Sequence, residues 1–383
     1  VKFFLSLALV SMMAASAHAD DAHNSCAAPN PHTGAAVSIP ADDAVHLNPD
    51  GSSKYAYEQW YWNAVVIADD GHTYGVETIP FQFAFGFIPT FTVVQIALTD
   101  ATANTYESQL IFGSGVYPHI ANAFDLEASD AGGSFSAIGG GGSDDLSLTY
   151  DDGSVVDLHF DGRKNPAPAW HNGQASLVDP VTGTNHGKQF YYNRRSMKVT
   201  GSISRPGKRE VNILTGDGWY DREFGTVIGT PGSQENNVNW HWVSLHLSNG
   251  SDYMLWDMKA DDTGNSLVRT INEIGPAPAC TEKTITAFSV VGTGATVVNA
   301  GPPVTTLDTS VRLTIPEEHL DVIVALLRTN QIIMTGGLFS PFVEGAMVTI
   351  GTQNGWPVVG TGYLEQFAPA DSGPAAGGCC QGV

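Results

Sequence analysis

The sequence predicts an all-β protein built from two similar units, and three observations carry that prediction. Glycine (42 residues) and proline (21) punctuate the 383-residue chain, as frequent turns between short strands require. Trp60-Tyr61-Trp62 and Trp240-His241-Trp242 open two segments of matching pattern. Each W-x-W strand runs into a turn, Asp69-Asp70-Gly71 or Asn249-Gly250, and resumes at Tyr74 or Tyr253, a hairpin signature given twice. Only Pro316 to Asn330 carries helix features, with Glu317 and Glu318 after a proline and Arg328 near its end. Its β-branched Val322, Ile323 and Val324 favour a long strand instead.

Taken in order, the chain opens on Lys2, an apolar run from Phe3 to Val10, and Ala17-His18-Ala19. That is the plan of an export signal, so residues 1–19 are expected to be a signal peptide cleaved after Ala19, and the mature protein to be secreted or periplasmic. Residues 20–45 read as an N-terminal tail, 46–206 as the first β domain, 207–368 as the second and 369–383 as a flexible C-terminal tail. The boundary is placed at Pro206-Gly207, a turn dipeptide between strand-like Met197–Ile203 and Val211–Leu214. A second correspondence between the halves pairs Met197-Lys198-Val199-Thr200-Gly201 with Met347-Val348-Thr349-Ile350-Gly351.

The hydrophobic share of 42% against 15% charged residues lets the chain bury a core. The net charge of −22 argues against nucleic acid as a partner and against an anionic membrane face. No later apolar run reaches the roughly 20 residues that span a bilayer, so no transmembrane segment is expected. Cys26, Cys280, Cys379 and Cys380 fit one or two disulfides whose pairing the sequence leaves open. A bridge between the termini, from Cys26 to the C-terminal pair, is the expectation. With no C-x-x-C spacing, no P-loop, no dinucleotide fingerprint and no HExxH, neither a cofactor nor a metal is expected. Gly139 to Ser147 matches the calcium-binding nonapeptide once, and a solitary copy reads as a loop.

The densest chemistry lies in Gly216-Asp217-Gly218-Trp219-Tyr220-Asp221-Arg222-Glu223-Phe224-Gly225. On a strand, Trp219, Asp221 and Glu223 share one face and Tyr220, Arg222 and Phe224 the other. A carboxyl against aromatic surface keeps its proton and can act as a general acid. The alternative is that Asp221 or Glu223 forms a buried ion pair with Arg194, Arg195 or Arg222. Trp60, Trp62, Trp240 and Trp242 either line a ligand cavity or fill the barrel interiors. His241 is a candidate base or a structural histidine, and Tyr191, Tyr192 and Tyr253 are open in the same way.

Several segments together resemble the family that contains carotenoid 1,2-hydratase, kievitone hydratase and the AttH-type secreted proteins. Glu58-Gln59-Trp60-Tyr61-Trp62 resembles its E-W-W-Y strand, and Tyr191-Tyr192-Asn193-Arg194-Arg195-Ser196-Met197 its Y-Y-S-x-x-R-M strand. Gly216 to Gly225 resembles G-x-x-W-x-D-R-E-F-G. Glu344-Gly345 with Gly360-Thr361-Gly362-Tyr363-Leu364-Glu365 resembles the closing E-G and G-x-G-Y-x-E pair. The chain departs from the family at Phe81-Gln82-Phe83 and at Trp240-His241-Trp242, where relatives carry W-D-W. The resemblance implies two tandem lipocalin-like, calycin-type antiparallel β-barrels packed together and an apolar isoprenoid or polyene-type ligand. It implies cofactor-free hydration of an alkene, or else a carrier or a polyene-folding relative. In the hydratase reading Asp221 is the acid, Glu223 or His241 orients water, and Trp60, Trp62, Tyr192, Trp219, Trp240, Trp242 and Tyr253 contact substrate.

Overall fold

The computed structural model describes residue 26 and residues 35–86, 88–170, 172–226, 238–261, 263–298, 305–334 and 341–367. The expected signal peptide and the C-terminal tail, with Cys379 and Cys380, lie outside the described residues. The first sheet is built from β1 (Tyr57–Ala68), β2 (Thr73–Phe83), β3 (Phe91–Asp100), β4 (Thr105–Ser114), β5 (Phe124–Asp130) and β6 (Gly133–Gly140). It continues with β7 (Ser143–Thr149), β8 (Val155–Asp161), β9 (Ala167–Pro168), β10 (Gln174–Val178), β11 (Asn185–Ser204) and β12 (Val211–Gly225). Its order is β4-β3-β2-β1-β12-β11-β8-β7-β6-β5, with β9 and β10 beside β11. At the free edges the Phe112 N–H donates to the Asp130 carboxylate at 2.9 Å and Gln109 Nε2 to the Gly132 carbonyl at 2.9 Å. These contacts curl the sheet into a nearly closed barrel.

The second sheet holds β13 (Val238–Leu247), β14 (Asp252–Ala260), β15 (Ser266–Ile274), β16 (Glu282–Ile285) and β17 (Ser289–Val298). The rest are β18 (Thr305–Ile315), β19 (Leu320–Leu326), β20 (Ile332–Ile333), β21 (Phe342–Gln353) and β22 (Trp356–Phe367). Its order, β16-β15-β14-β13-β22-β21-β19-β18-β17, makes a curled half-barrel where the sequence suggested a second full one. The duplication is visible in the neighbours: β2-β1-β12-β11 in one sheet corresponds to β14-β13-β22-β21 in the other. Met197 on β11 and Met347 on β21 each enter the interior of their own sheet. The segment after Pro316 is a 3-10 turn followed by strand β19, not a helix.

Two boundaries and one disulfide pairing differ from the expectation. Pro206-Gly207 is a hairpin turn inside the first sheet, because β12 pairs with both β1 and β11, so the change of sheet falls between Gly225 and Val238. Residues 35–45 are no loose tail: they enter the first barrel, where Val37 and Val45 join its core. A 3-10 turn, Ala41–Asp43, there places Asp43 as a fully buried acceptor for Tyr192, Tyr220 and Arg194. Cys26 is bonded to Cys280, with Cα atoms 5.6 Å apart, rather than to the C-terminal pair. The Gly139–Ser147 match is the β6-β7 hairpin, and its Asp144 accepts the Trp62 indole N–H at 3.0 Å.

The two sheets meet face to face through their own apolar core, which includes Tyr61, Val65 and Trp219 from the first and Trp242, Met254 and Trp256 from the second. Burying each large side chain contributes about 1.5–3 kcal/mol, so the halves are fused rather than tethered. At the tightest point a Cβ on Gly75 would lie 2.3 Å from the Ala346 Cβ. Only glycine lets β2 approach β21 that closely.

Candidate active site

Strict alternation on β12 sorts its side chains as the sequence predicted. Tyr220 and Phe224 enter the first barrel's core, and Arg222 joins them, ion-paired with Glu58 and lying 3.9 Å above the Trp60 ring. Trp219, Asp221 and Glu223 face the other way, toward the second sheet. There a cavity of about 150 Å³ opens between the sheets. Asp221 and Glu223 on the first-barrel wall face Trp240, Trp242 and Glu365 on the opposite wall, and Phe81 and Phe83, stacked 5.3 Å apart, also line the space.

Asp221 Oδ1 accepts the Trp219 indole N–H at 2.7 Å, and the Tyr191 hydroxyl hydrogen-bonds the same carboxyl. Tyr191 in turn accepts the Trp242 indole N–H at 3.1 Å. Asp221 forms no ion pair with any described residue. Two of the neighbouring arginines are paired elsewhere, and the third, Arg195, acts on it only through its charge and not as a hydrogen-bonded partner. Arg194 pairs with Asp43 and Arg222 with Glu58. Arg195 donates to Asn193 Oδ1 at 2.7 Å and to the Asn272 carbonyl at 2.7 Å while stacking on Trp219. Burial therefore pushes the Asp221 carboxyl well above the usual carboxylate range. Burial also raises Glu223 to about 8, against the hydroxyl donated by Tyr57 at 2.7 Å.

Ordinary alternation puts Arg194 and Arg195 on opposite faces of β11, and a bulge follows them directly. Pairing of β11 with β12 slips between Arg194 and Met197, and Ser196 has φ 49°. This bulge moves the inward phase from even to odd positions: Tyr192 and Met197 both lie in the barrel core.

A model of the AttH-like family matches residues 30–367. The chain belongs to the AttH-like family. Among solved structures, a protein assigned as AttH in Nitrosomonas europaea superposes with TM-score 0.69 at 20% identity, covering 88% of this chain and 98% of that one. Kievitone hydratase from Nectria haematococca superposes with TM-score 0.65 at 17% identity, covering 90% and 97%. At these identities the likeness is one of fold. No curated protein matches the chain by sequence.

Within this AttH-like fold, the predicted site residues separate into two groups. Asp221, Glu223, Trp240 and Trp242 line the cavity, and Trp219 holds Asp221 from behind. Trp60, Trp62 and Tyr192 do not: they fill the first barrel, with Trp60 donating to the Asp43 carbonyl at 2.9 Å. Tyr253 belongs to the core of the second sheet and donates to Glu273 at 3.1 Å. His241 points away from the cavity and meets Asp308 at 3.1 Å. Tyr191, not its neighbour Tyr192, reaches Asp221.

The sequence reading gave no role to Glu344 and Glu365, nor to Tyr61 and Glu77. Tyr61 donates to Glu344, and Glu365 Oε1 accepts the Trp240 indole N–H at 2.8 Å. Glu77 is buried and takes a 2.8 Å bond from Gln95. One signal was present: Glu77, Glu344 and Glu365 are each the lone charged residue of an otherwise uncharged strand, and a carboxyl retained there is expensive unless used.

Proposed function

We propose that this AttH-like protein adds water across a carbon–carbon double bond of an apolar small molecule, with Asp221 as the general acid. The observation that carries the reading is a fully buried carboxyl with no ion pair among the described residues, whose burial outweighs the nearby Arg195 charge, aimed into an apolar cavity. Such a group holds its proton at neutral pH and releases it only to something that becomes cationic beside it. The carbocation formed by protonating a substituted alkene is that kind of species. The indoles of Trp240, Trp242 and Trp256, which line the cavity, favour positive charge beside their rings. Trp219 and Tyr191 both donate to Asp221, so they stabilise the carboxylate left after proton release.

The size of the cavity favours this reading over a carrier. About 150 Å³ matches a cavity that takes a benzene-sized group, whereas sites that enclose a whole ligand run to about 300–1,000 Å³. A branched alkene end fits inside, with the remainder of the molecule outside. Kievitone hydratase, whose fold this chain shares, is named for the same class of reaction.

Incubating the purified protein with a panel of isoprenoid and prenylated alkenes, with mass detection, tests the proposal. The expected product is substrate plus one water, and Asp221→Asn should lower turnover by about 10²–10⁴-fold, the usual contribution of a general acid. Undiminished turnover by that variant overturns the assignment, and a ligand retained unchanged by the wild type supports a carrier.

A further inference from the structure

An alkene hydratase also needs a base for the attacking water, and the opposite wall of the cavity supplies a candidate that the reading so far leaves idle. We infer that Glu365, carried by the second sheet, is the catalytic base, and that Glu344 positions it through a shared proton. The inference rests on the hydratase reading and goes beyond it by assigning the two halves of the addition to the two halves of the fold.

The geometry is that of an acid and a base on facing walls. Asp221 comes from β12 of the barrel and Glu365 from β22 of the half-barrel, and both line the cavity. Glu344 and Glu365 are directly opposed on neighbouring strands, and Glu344 Oε2 is buried with no other partner among the described residues. Two buried carboxyls placed opposite each other avoid like-charge repulsion by sharing one proton between them. Tyr61 donates to Glu344 and Trp240 to Glu365, so both oxygens of the pair that are engaged from outside act as acceptors. Glu223 on β12, Glu77 on β2, Tyr363 on β22, Tyr57 on β1, Tyr191 on β11 and Tyr106 on β4 are further titratable groups of this interface. No ion pair to a described cation satisfies any of these carboxyls.

A second acceptor is in place for the water. Gln189 lines the cavity, and its Oε1 is buried without a partner among the described residues. A nucleophilic water with one O–H on Glu365 has its other O–H free for such an acceptor, and an orphaned buried carbonyl oxygen is costly unless something fills it. Burial raises Glu365 against the Trp240 donor and pushes Asp221 well above the usual carboxylate range, so Glu365 is the more readily ionised of the two. Groups pushed apart in this way make an acid–base pair.

The step balances. The alkene π electrons form a C–H bond with the proton of Asp221, whose O–H electrons remain on the carboxylate. A lone pair of water closes the cationic carbon, and the water O–H breaks as its proton passes to Glu365. Asp221 ends ionised and Glu365 protonated, and returning that one proton across the cavity, by Glu223 or by solvent on product release, restores both.

The test is hydration of a substrate from the panel above, run in D₂O with wild type, Glu365→Gln and Asp221→Asn. Glu365→Gln should lose about 10²–10⁴-fold in hydration, yet still place deuterium in the recovered alkene, because Asp221 can protonate and deprotonate it without help. Asp221→Asn should lose both. A Glu365→Gln variant that hydrates within about 3-fold of wild type overturns the inference and leaves the hydratase reading standing. A wild type that neither hydrates nor exchanges overturns both. Should Glu365→Gln fail to fold, Glu344→Met serves. Removing the proton that Glu344 shares with Glu365 should move the acidic limb of the kcat/KM profile toward higher pH, and a limb that stays in place counts against the base.

Discussion

Two strands that read almost alike, Trp60-Tyr61-Trp62 and Trp240-His241-Trp242, turn opposite faces to the same interface. In β1 both tryptophans enter the barrel and Tyr61 faces the second sheet. In β13 Trp242 and Trp240 face the first barrel, and His241 turns to the inner side, where it meets Asp308. The register shows the cause. Tyr74 sits opposite Val66, four residues beyond Trp62, whereas Tyr253 sits opposite Leu245, three beyond Trp242. Both tyrosines point inward, so a one-residue difference before the turn reverses every side chain that precedes it. One copy of the motif became core and the other became the wall of a cavity.

The same division runs through the charges. Two carboxyls on the barrel side of the first sheet are ion-paired, Glu58 with Arg222 and Asp43 with Arg194, while Asp144 there is held by the Trp62 indole N–H. Those on the interface side, Asp221, Glu223, Glu344 and Glu365, have no ion pair among the described residues and are raised by burial. Paired charges hold a fold together, and unpaired buried ones are free to exchange protons.

The largest effect expected from this contrast separates the two tryptophan pairs. Trp62→Ala should cost about 3–5 kcal/mol of stability while leaving turnover per folded molecule unchanged. Trp240→Leu, which removes the donor to Glu365, should do the reverse. Chemical denaturation combined with kinetics reads both, and equal effects on stability and turnover would break the comparison.

A moderate effect is expected with pH. Glu223 ionises near 4.5 when solvated and near 8 in the fold. Between those values the folded chain keeps a proton that the unfolded chain has lost, so stability should be full below the window and decline as pH rises through it. Glu223→Gln should flatten that decline in a series of thermal melts, and an unchanged slope would show that the carboxyl is not held protonated. Asp252 behaves in the opposite sense. Burial alone would raise it, but Lys164 at 2.8 Å and His246 at 2.8 Å hold it far below the usual range, so its contribution is lost only in acid.

The smallest effect belongs to His241. Its ring is part-exposed and turned from the cavity, so His241→Asn should change stability by no more than about 0.5 kcal/mol and leave turnover within 2-fold. A large loss of activity would mean that the two faces of β13 have been assigned the wrong way round.

The sequence by itself determined the all-β class, the duplicated order of strands, the hairpin turns and the split of β12 into two faces. Each of these follows from local rules: turn residues set where the chain reverses, and the period of two sets which neighbours share a side. It could also raise Asp221 as an acid, because the adjacent aromatic residues are in the same segment. Tertiary structure alone decided that Tyr191 rather than Tyr192 meets that acid, since a bulge at Ser196 shifts the phase of β11. It alone brought Glu365 from the far end of the chain to the facing wall, and it alone drew residues 35–45 into the barrel they had seemed only to precede. Which face of a strand is inside depends on what packs against it. For a chain with two sheets, that answer is written in the contact between them and not in either strand.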